Sequence, residues 1–188
     1  MVEDIAEVAS EIVASNGYAD RVRVVNKPSG ALKVGLGGDL KRRADVIVAE
    51  IFDAGLFGEK AVETLEHART HLLKEGGVII PGRATVQGVL VESYPMVQQS
   101  RVRNANTCGF DLSIFNQLGP VNYLQVNAFH HDYRVLTAPF DVLTVDFMEP
   151  IPRYDMKLDA QILRDGTAHA VLFWFALELT DGVLFETA

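Results

Sequence analysis

Apolar and polar residues follow a helical period in two parts of the first 80 residues. Residues 3–16 place apolar side chains three or four positions apart, and Gly17 suits the left-handed conformation that ends a helix. A second helix is predicted from near Glu59 to a stop at Gly76 and the glycine after it. The mostly apolar run at 44–49 is typical of a buried parallel strand, so this part of the chain predicts an α/β unit.

From Pro81 onward the pattern changes to the two-residue period of β-strands. Five segments read as strands, and they are residues 84–93, 133–137, 140–147, 157–163 and 169–179. Several strands after an α/β unit predict a second, antiparallel domain, either a barrel or a sandwich. We therefore predict domains at residues 1–80 and 81–188. Within the second, residues 110–131 form either a partner-binding arm or a long connection that packs on its own barrel.

The composition narrows the class of protein. The net charge of −8 argues against non-specific nucleic-acid binding and permits cationic partners. No run of about 18 apolar residues is present to span a membrane, and the first residues lack the pattern of a signal peptide. Cys108 is the single cysteine, which is consistent with a reducing compartment. We therefore expect a cytoplasmic or nuclear protein with no membrane partner and no direct nucleic-acid partner.

Three carboxylates within ten residues follow the predicted strand at 44–49. They are Glu50, Asp53 and Glu59, and ligands collect at the carboxyl ends of strands in open α/β sheets. Two glycines between them would let the segment turn sharply, so that Glu50 and Glu59 face each other. Two such carboxylates repel unless a cation lies between them, and the planar guanidinium group suits the pair. The alternative is a solvated loop whose acidic residues cap the next helix.

The motifs around this acidic segment form a specific combination. The pattern E-x-x-D-x-x-x-x-G-E follows the strand ADVIV, and the junction I-P-x-x-A-T follows at residues 80–85. Together they resemble the double-glutamate loop and domain junction of the protein arginine N-methyltransferases. Asp53, together with Lys60 where the commoner asymmetric enzymes have Met, resembles the branch that holds the monomethylating subfamily and one symmetric-dimethylating subfamily.

The resemblance covers most of the chain and implies its fold. Residues 1–80 would be the C-terminal half of a Rossmann-like, S-adenosylmethionine-dependent methyltransferase domain. Residues 81–188 would be a partial antiparallel β-barrel domain for substrate binding, with a dimerisation arm inserted at about 110–131. The fold class expected is therefore α/β plus β.

The resemblance also implies functional roles for individual residues. Glu50 and Glu59 would grip the guanidinium group of a substrate arginine, while Asp53 would shape the same pocket or cap the next helix. The residues beside the adenine of the cofactor S-adenosylmethionine would be Lys27, Pro28 and Ser29. An ordinary turn is the alternative for that segment. The implied partners are arginine-containing protein substrates and a second subunit in a homodimer or pseudo-dimer.

Two parts of the family pattern are absent from these 188 residues. They hold neither the family's Gly-rich cofactor loop nor its Thr-His-Trp loop. We therefore expect an internal fragment of a longer enzyme, whose sheet lacks two strands between those at 21–25 and 46–50. Such a fragment is expected to bind S-adenosylmethionine weakly or not at all on its own.

Two other classes of function remain open. The chain could be a catalytically dead module that binds arginine-rich peptides or a partner, or a fragment of a metal-dependent α/β hydrolase. His67 and His71 lie four residues apart on a predicted helix, as a metal-binding pair would. Ala68 stands where the zinc-protease signature requires Glu, so no metal site is predicted.

Overall fold

The computed structural model of this chain describes residues 3–103, 107–118 and 123–187. The chain divides into two compact units, one of residues 1–49 and 62–80 and the other of residues 50–61 and 81–188. The acidic segment therefore groups with the later strands, whereas it was expected to belong to the first domain. The division into domains between residues 80 and 81 stays a prediction.

The first part of the chain contains the predicted helices and the predicted parallel strand. Its elements are α1 (Glu3–Ser15), β1 (Ala44–Val48), α2 (Ala61–His67) with a π-helical turn after it (Ala68–Leu72), and β2 (Leu73–Ile80). Strands β1 and β2 pair in parallel, and within the described residues they form a two-stranded sheet. In the same ranges no helix is long and apolar enough to cross a membrane.

Two predictions for the first unit are wrong. The second helix does not reach Gly76, because Leu73 is buried and pairs with Ala44, so that the chain enters strand β2 directly after Leu72. Gly76 instead adopts a φ of 68° inside an irregularity of the β1–β2 register. Residues 21–25 form no strand in the structure; an extended segment cannot become a ladder unless a neighbouring strand pairs with it.

The second unit is built on an antiparallel sheet. Its elements are β3 (Arg83–Glu92), α3 (Tyr94–Gln99), β4 (Arg134–Val135), β5 (Phe140–Asp146), β6 (Ala170–Thr180) and β7 (Val183–Glu186). The five strands that the described residues contribute are arranged around β3, which pairs with β6 along one edge and with β5 and β4 along the other. Strand β7 pairs with the far edge of β6.

The core of this sheet follows from the two-residue period. Ala84 and Val86 alternate with more exposed neighbours along β3, and Val86 pairs with the buried Phe175 of β6. Burying such side chains contributes about 1.5–3 kcal/mol for each large one. The predicted fold class, an α/β part followed by an antiparallel β part, is confirmed.

Three elements of the second unit were predicted wrongly or missed, and the strand predicted at 133–137 is shorter, Arg134–Val135. The predicted strand at 157–163 is wrong, since only Ile162 makes an isolated bridge, to Thr137. Strand β7 was missed because it is short and exposed on both faces. Helix α3 was missed too, and it begins where the Ser93 hydroxyl accepts a hydrogen bond from the backbone N–H of Met96.

The predicted arm at 110–131 is an irregular segment with two 3₁₀ turns in its described part, at Ser113–Gln117 and Ala128–His130. Residues 119–122 of the predicted arm lie outside the described residues. Large apolar side chains on the arm are exposed, among them those of Phe110, Ile114 and Leu118.

Candidate active site

The acidic segment begins where strand β1 ends. The N–H of Ala49 donates to the carbonyl of Ile80 at 2.9 Å, which extends the parallel pairing by one residue. Glu50 is the next residue, so it follows the carboxyl end of a parallel strand, as predicted. The following residues, 50–60, are called the acidic loop below.

Apolar contacts anchor the acidic loop to the antiparallel unit. The ring of Phe52 stacks on that of Phe147, with centroids 5.5 Å apart and planes inclined by 28°. Phe147 is almost fully buried, and Leu56 exposes none of its surface. Because aromatic pairs add about 0.5–1.5 kcal/mol beyond area burial, the loop is held by its apolar side chains as well as by its backbone.

Asp53 closes the acidic loop through both carboxylate oxygens. Its Oδ1 accepts a hydrogen bond from the N–H of Gly58 at 2.8 Å, and its Oδ2 accepts one from the hydroxyl of Tyr123. Its carbonyl also accepts from the N–H of Leu56 at 2.9 Å. A Cβ added to Gly58 would overlap the Asp53 carboxylate, so this glycine is required by a close approach.

The left-handed positions of the loop are not its glycines. Leu56 has a φ of 70° and Lys60 a φ of 61°, whereas Gly55 and Gly58 lie outside the positive-φ region. Such a conformation costs a residue with a side chain about 1–2 kcal/mol, and it persists only where the surroundings determine it. The strained residues flank the second half of the loop, where Glu59 stands.

Glu50 and Glu59 differ from Asp53 in having free carboxylates. Both side chains are exposed, and neither makes a hydrogen bond or ion pair within the part of the chain that the structure describes. An exposed carboxylate without a partner can accept hydrogen bonds from a cationic ligand. The structure thus gives the three predicted acidic residues different surroundings: one carboxylate is used by the loop, and two are available.

The predicted cofactor residues lie in the first unit, on an exposed turn. The Lys27 ammonium pairs with Asp39 Oδ1 at 2.5 Å, and Asp39 Oδ2 accepts from the N–H of Lys33 at 3.0 Å. The hydrogen bond from Lys27, followed by that from the Lys33 backbone, lowers the pKa of Asp39 below its usual value of 3.8. Ser29 opens a 3₁₀ turn, and the Pro28 carbonyl accepts from the N–H of Ala31 at 2.9 Å.

Sequence reasoning missed Asp39 and Tyr123, although each contacts a predicted site residue. Asp39 follows two glycines, a pattern typical of a surface turn. Tyr123 stands 70 residues after Asp53, and no periodic or motif signal links the two positions. Asp53 and Tyr123 come into contact only in the folded protein.

His67 ends the second helix and His71 lies in the π-helical turn after it, and the described residues provide no third ligand nearby. The rings of His67 and His71 lie 4.8 Å apart, and the Nδ1 of His67 is buried without a hydrogen-bond partner among the described residues. Within those residues no group of three or more His, Cys, Asp or Glu side chains could hold a metal ion.

Comparison with known proteins finds arginine methyltransferases that are similar to this chain. No family model matches the chain. It is 32% identical over 185 residues to an arginine N(omega)-methyltransferase of Streptomyces achromogenes subsp. streptozoticus, covering 95% of this chain and 49% of that enzyme. It is also 31% identical over 188 residues to protein arginine N-methyltransferase 7 of Gallus gallus, covering 93% of this chain and 27% of that protein. The chain thus spans about half the length, or less, of these relatives.

A solved structure shares the fold. The chain superposes with a TM-score of 0.73 on a chain of the Trypanosoma brucei PRMT1 enzyme–prozyme heterotetrameric complex with AdoHcy, over 98% of this chain and 58% of that one. The sequence identity is 19%, so this likeness concerns the fold.

Proposed function

Because this chain belongs to the arginine N-methyltransferase family, we propose that the protein containing it transfers a methyl group from S-adenosylmethionine to a guanidinium nitrogen of arginine residues in proteins. The observation that carries this proposal is the different use of the acidic side chains. The Asp53 carboxylate accepts hydrogen bonds from the Gly58 N–H and the Tyr123 hydroxyl, whereas the Glu50 and Glu59 carboxylates are exposed and unpaired within the described residues.

In the proposed mechanism Glu50 and Glu59 bind the substrate guanidinium. Carboxylates accept bidentate hydrogen bonds from guanidinium N–H groups, and two of them leave one nitrogen uncommitted. The two carboxylates also favour the distribution of electrons within the guanidinium that leaves more lone-pair density on the uncommitted nitrogen. Most of the acceleration then comes from alignment and electrostatics, so a strong general base is not needed. The residue after Glu59 is Lys60, and this supports assigning the protein to the branch that holds the monomethylating and symmetric-dimethylating enzymes.

The cofactor would be held at the turn of Lys27, Pro28 and Ser29. When bound, S-adenosylmethionine supplies an electrophilic methyl group on its sulfonium. The turn fits a polar heterocycle because the Ser29 hydroxyl is without a partner among the described residues, while Asp39 neutralises the Lys27 ammonium. Lys27 would therefore contribute its backbone and its aliphatic stem rather than an unpaired charge.

We further propose that the 188 residues alone bind the cofactor weakly or not at all. Val46, Val48 and Val78 are half exposed or more on the two-stranded sheet, whereas parallel sheets are normally covered on both faces. Calorimetry on the 188-residue polypeptide tests this, and micromolar binding of S-adenosylmethionine would contradict it.

The proposed protein partners are arginine-containing substrates and a second subunit. The exposed apolar side chains of Phe110, Ile114 and Leu118 support a contact between the arm and another subunit, in a homodimer or pseudo-dimer. A cytoplasmic or nuclear location is part of the same proposal. Sedimentation of a full-length variant with Ile114→Ser is expected to shift mass toward the monomer, and an unchanged mass would refute the role of the arm.

The experiment for the activity compares charge-neutral variants in the full-length protein. Glu50→Gln and Glu59→Gln are each expected to lower the turnover of arginine peptides by about a hundredfold or more, because a charge-assisted contact in the transition state is lost. Cofactor affinity, measured by calorimetry, should stay within about twofold. Glu63→Gln makes the same change on exposed surface four residues after Glu59 and should leave turnover unaltered.

Two results would refute this proposal. If the full-length protein binds cofactor and peptide but methylates nothing, the catalytically dead module is correct. If thermal stability depends on a divalent cation and the dependence vanishes in Asp53→Asn, the metal-dependent hydrolase is correct.

A further inference from the structure

Tyr123 joins three parts of the second unit at the acidic loop. Its ring lies edge-on to Phe173 of β6, with centroids 5.7 Å apart and planes at 88°. Its hydroxyl donates to Asp53 Oδ2, and its ring fills the space beside Gly55, where an added Cβ would overlap the ring atoms. Strand, loop and arm segment therefore meet at a single side chain.

We infer that Tyr123 is a positioning residue for methyl transfer, acting through Asp53 on the acidic loop. This inference rests on the function proposed above. It assigns Asp53 to the loop, because the Gly58 N–H and the Tyr123 hydroxyl each donate to one of its carboxylate oxygens and together fix the orientation of the carboxylate. Neither residue was expected to have this role.

The connection to the reactive carboxylates is short. Tyr123 holds Asp53 Oδ2, Asp53 Oδ1 holds the N–H of Gly58 at 2.8 Å, and Glu59 is the next residue. When the hydroxyl is removed, Asp53 loses a donor and gains rotational freedom, and the Gly58 backbone loses a fixed acceptor. Glu59 is then held less firmly, and small displacements of a binding group cost an enzyme much of its rate.

The ring contact with Phe173 explains why the hydroxyl can act as a fixed point. The edge-on contact with Phe173 is one of the geometries that aromatic pairs prefer, and it stabilises the ring in the position beside Gly55. Since β6 pairs with β3 from Arg83 to Val91, the ring is supported by the central strands of the sheet. The loop thus takes its position from the sheet through a side chain that comes from the predicted arm.

The test is Tyr123→Phe in the full-length protein, which keeps the ring and removes the hydrogen bond. We expect kcat/KM for an arginine peptide to fall about tenfold, because a hydrogen bond to a charged group is lost. Turnover is to be normalised to the fraction of protein that binds S-adenosylmethionine, so that a loss of folded protein does not count. Tyr154→Phe is the matched control, since Tyr154 is equally exposed and its hydroxyl donates to the Thr144 carbonyl at 3.3 Å.

A double-mutant cycle separates positioning from a general structural role. If Tyr123 acts through Asp53, then Tyr123→Phe causes no further loss of turnover in an Asp53→Asn background. Independent losses that multiply in the double variant would overturn the inference. So would full activity of Tyr123→Phe, or an equal loss in Tyr154→Phe.

Amide hydrogen exchange keeps the inference testable if the proposed reaction itself is wrong. Exchange at the Gly58 N–H should accelerate in Tyr123→Phe and remain unchanged in Tyr154→Phe, whether or not the protein methylates anything. Unaltered protection at Gly58 would refute the role of Tyr123. A protein that is inactive yet shows the faster exchange would refute the methyltransferase proposal and leave the loop attachment intact.

Discussion

Burial of the Leu56 side chain stabilises the acidic loop, whereas the left-handed backbone of the same residue destabilises it. Substitutions at Leu56 therefore test the backbone conformation of the loop. The side chain is fully buried, and its φ of 70° lies in the left-handed region. Leu56→Ala removes buried methyl groups and keeps the backbone cost, so we expect a loss of about 3–5 kcal/mol in the free energy of unfolding. Leu56→Gly removes one more carbon, worth about 0.8 kcal/mol, and adds about 0.5–1 kcal/mol of unfolded-chain entropy. It also relieves a left-handed cost of about 1–2 kcal/mol.

The Gly and Ala variants of Leu56 should therefore differ by less than about 1 kcal/mol. Leu177 is the matched control, because it is 7% exposed and lies in an ordinary extended strand. At Leu177 glycine relieves no left-handed strain, so Leu177→Gly should be less stable than Leu177→Ala by about 1.3–1.8 kcal/mol in the free energy of unfolding. The difference between the two sites isolates the left-handed cost, because the cavity and entropy contributions cancel.

Urea unfolding followed by Trp174 fluorescence is the assay for these four variants. Trp174 is the single tryptophan of the sequence and lies in β6, so it reports on the second unit. Linear extrapolation gives each free energy of unfolding. We expect the Gly-minus-Ala difference to be about 1–2 kcal/mol larger at Leu177 than at Leu56. Equal differences at the two sites, within about 0.5 kcal/mol, would refute the left-handed assignment.

Two further substitutions test the second unit. Thr137 is fully buried and its hydroxyl accepts from the N–H of Leu90 at 3.0 Å, so Thr137→Val should cost about 1–3 kcal/mol in the urea assay. Thr137→Ser keeps the acceptor and should lose less; the reverse order would contradict this account. The backbone N–H of Thr167, and then the guanidinium of Arg134, hold the pKa of Glu92 below its usual value of 4.5. Because this folded-state pKa is lowered, Glu92 stabilises the fold above pH 4.5 and the contribution disappears as pH falls below it. The stability gap between the wild type and Glu92→Gln should therefore be largest near neutral pH and close in acid; a gap constant from pH 3 to 7 would exclude the interaction.

Local patterns in the sequence were sufficient for most of the regular elements. The helical period at residues 3–16 and the alternation in β3 each depend on neighbours a few positions away, and both predictions are confirmed. The stop at Gly76 failed because the true end of the helix is set by pairing between Leu73 and Ala44. Such a pairing joins residues far apart in the chain, and glycine content cannot reveal it.

The acidic loop shows the same division at the site. Its three carboxylates, their spacing and their place after a strand are properties of the sequence, and they were enough to suggest a guanidinium ligand. The sequence did not reveal that the Asp53 carboxylate is hydrogen-bonded while those of Glu50 and Glu59 are free. One of the two donors to Asp53 is Tyr123, which lies 70 residues further along the chain.

Functional groups that lie close together in the sequence could thus be identified from the sequence alone. Which carboxylate stabilises the loop and which is available to a ligand is determined by the tertiary structure. The reason is physical: a hydrogen bond forms only when donor and acceptor lie within about 3.5 Å. Between distant positions that proximity is created by packing, here of Phe52 on Phe147 and of Tyr123 on Phe173.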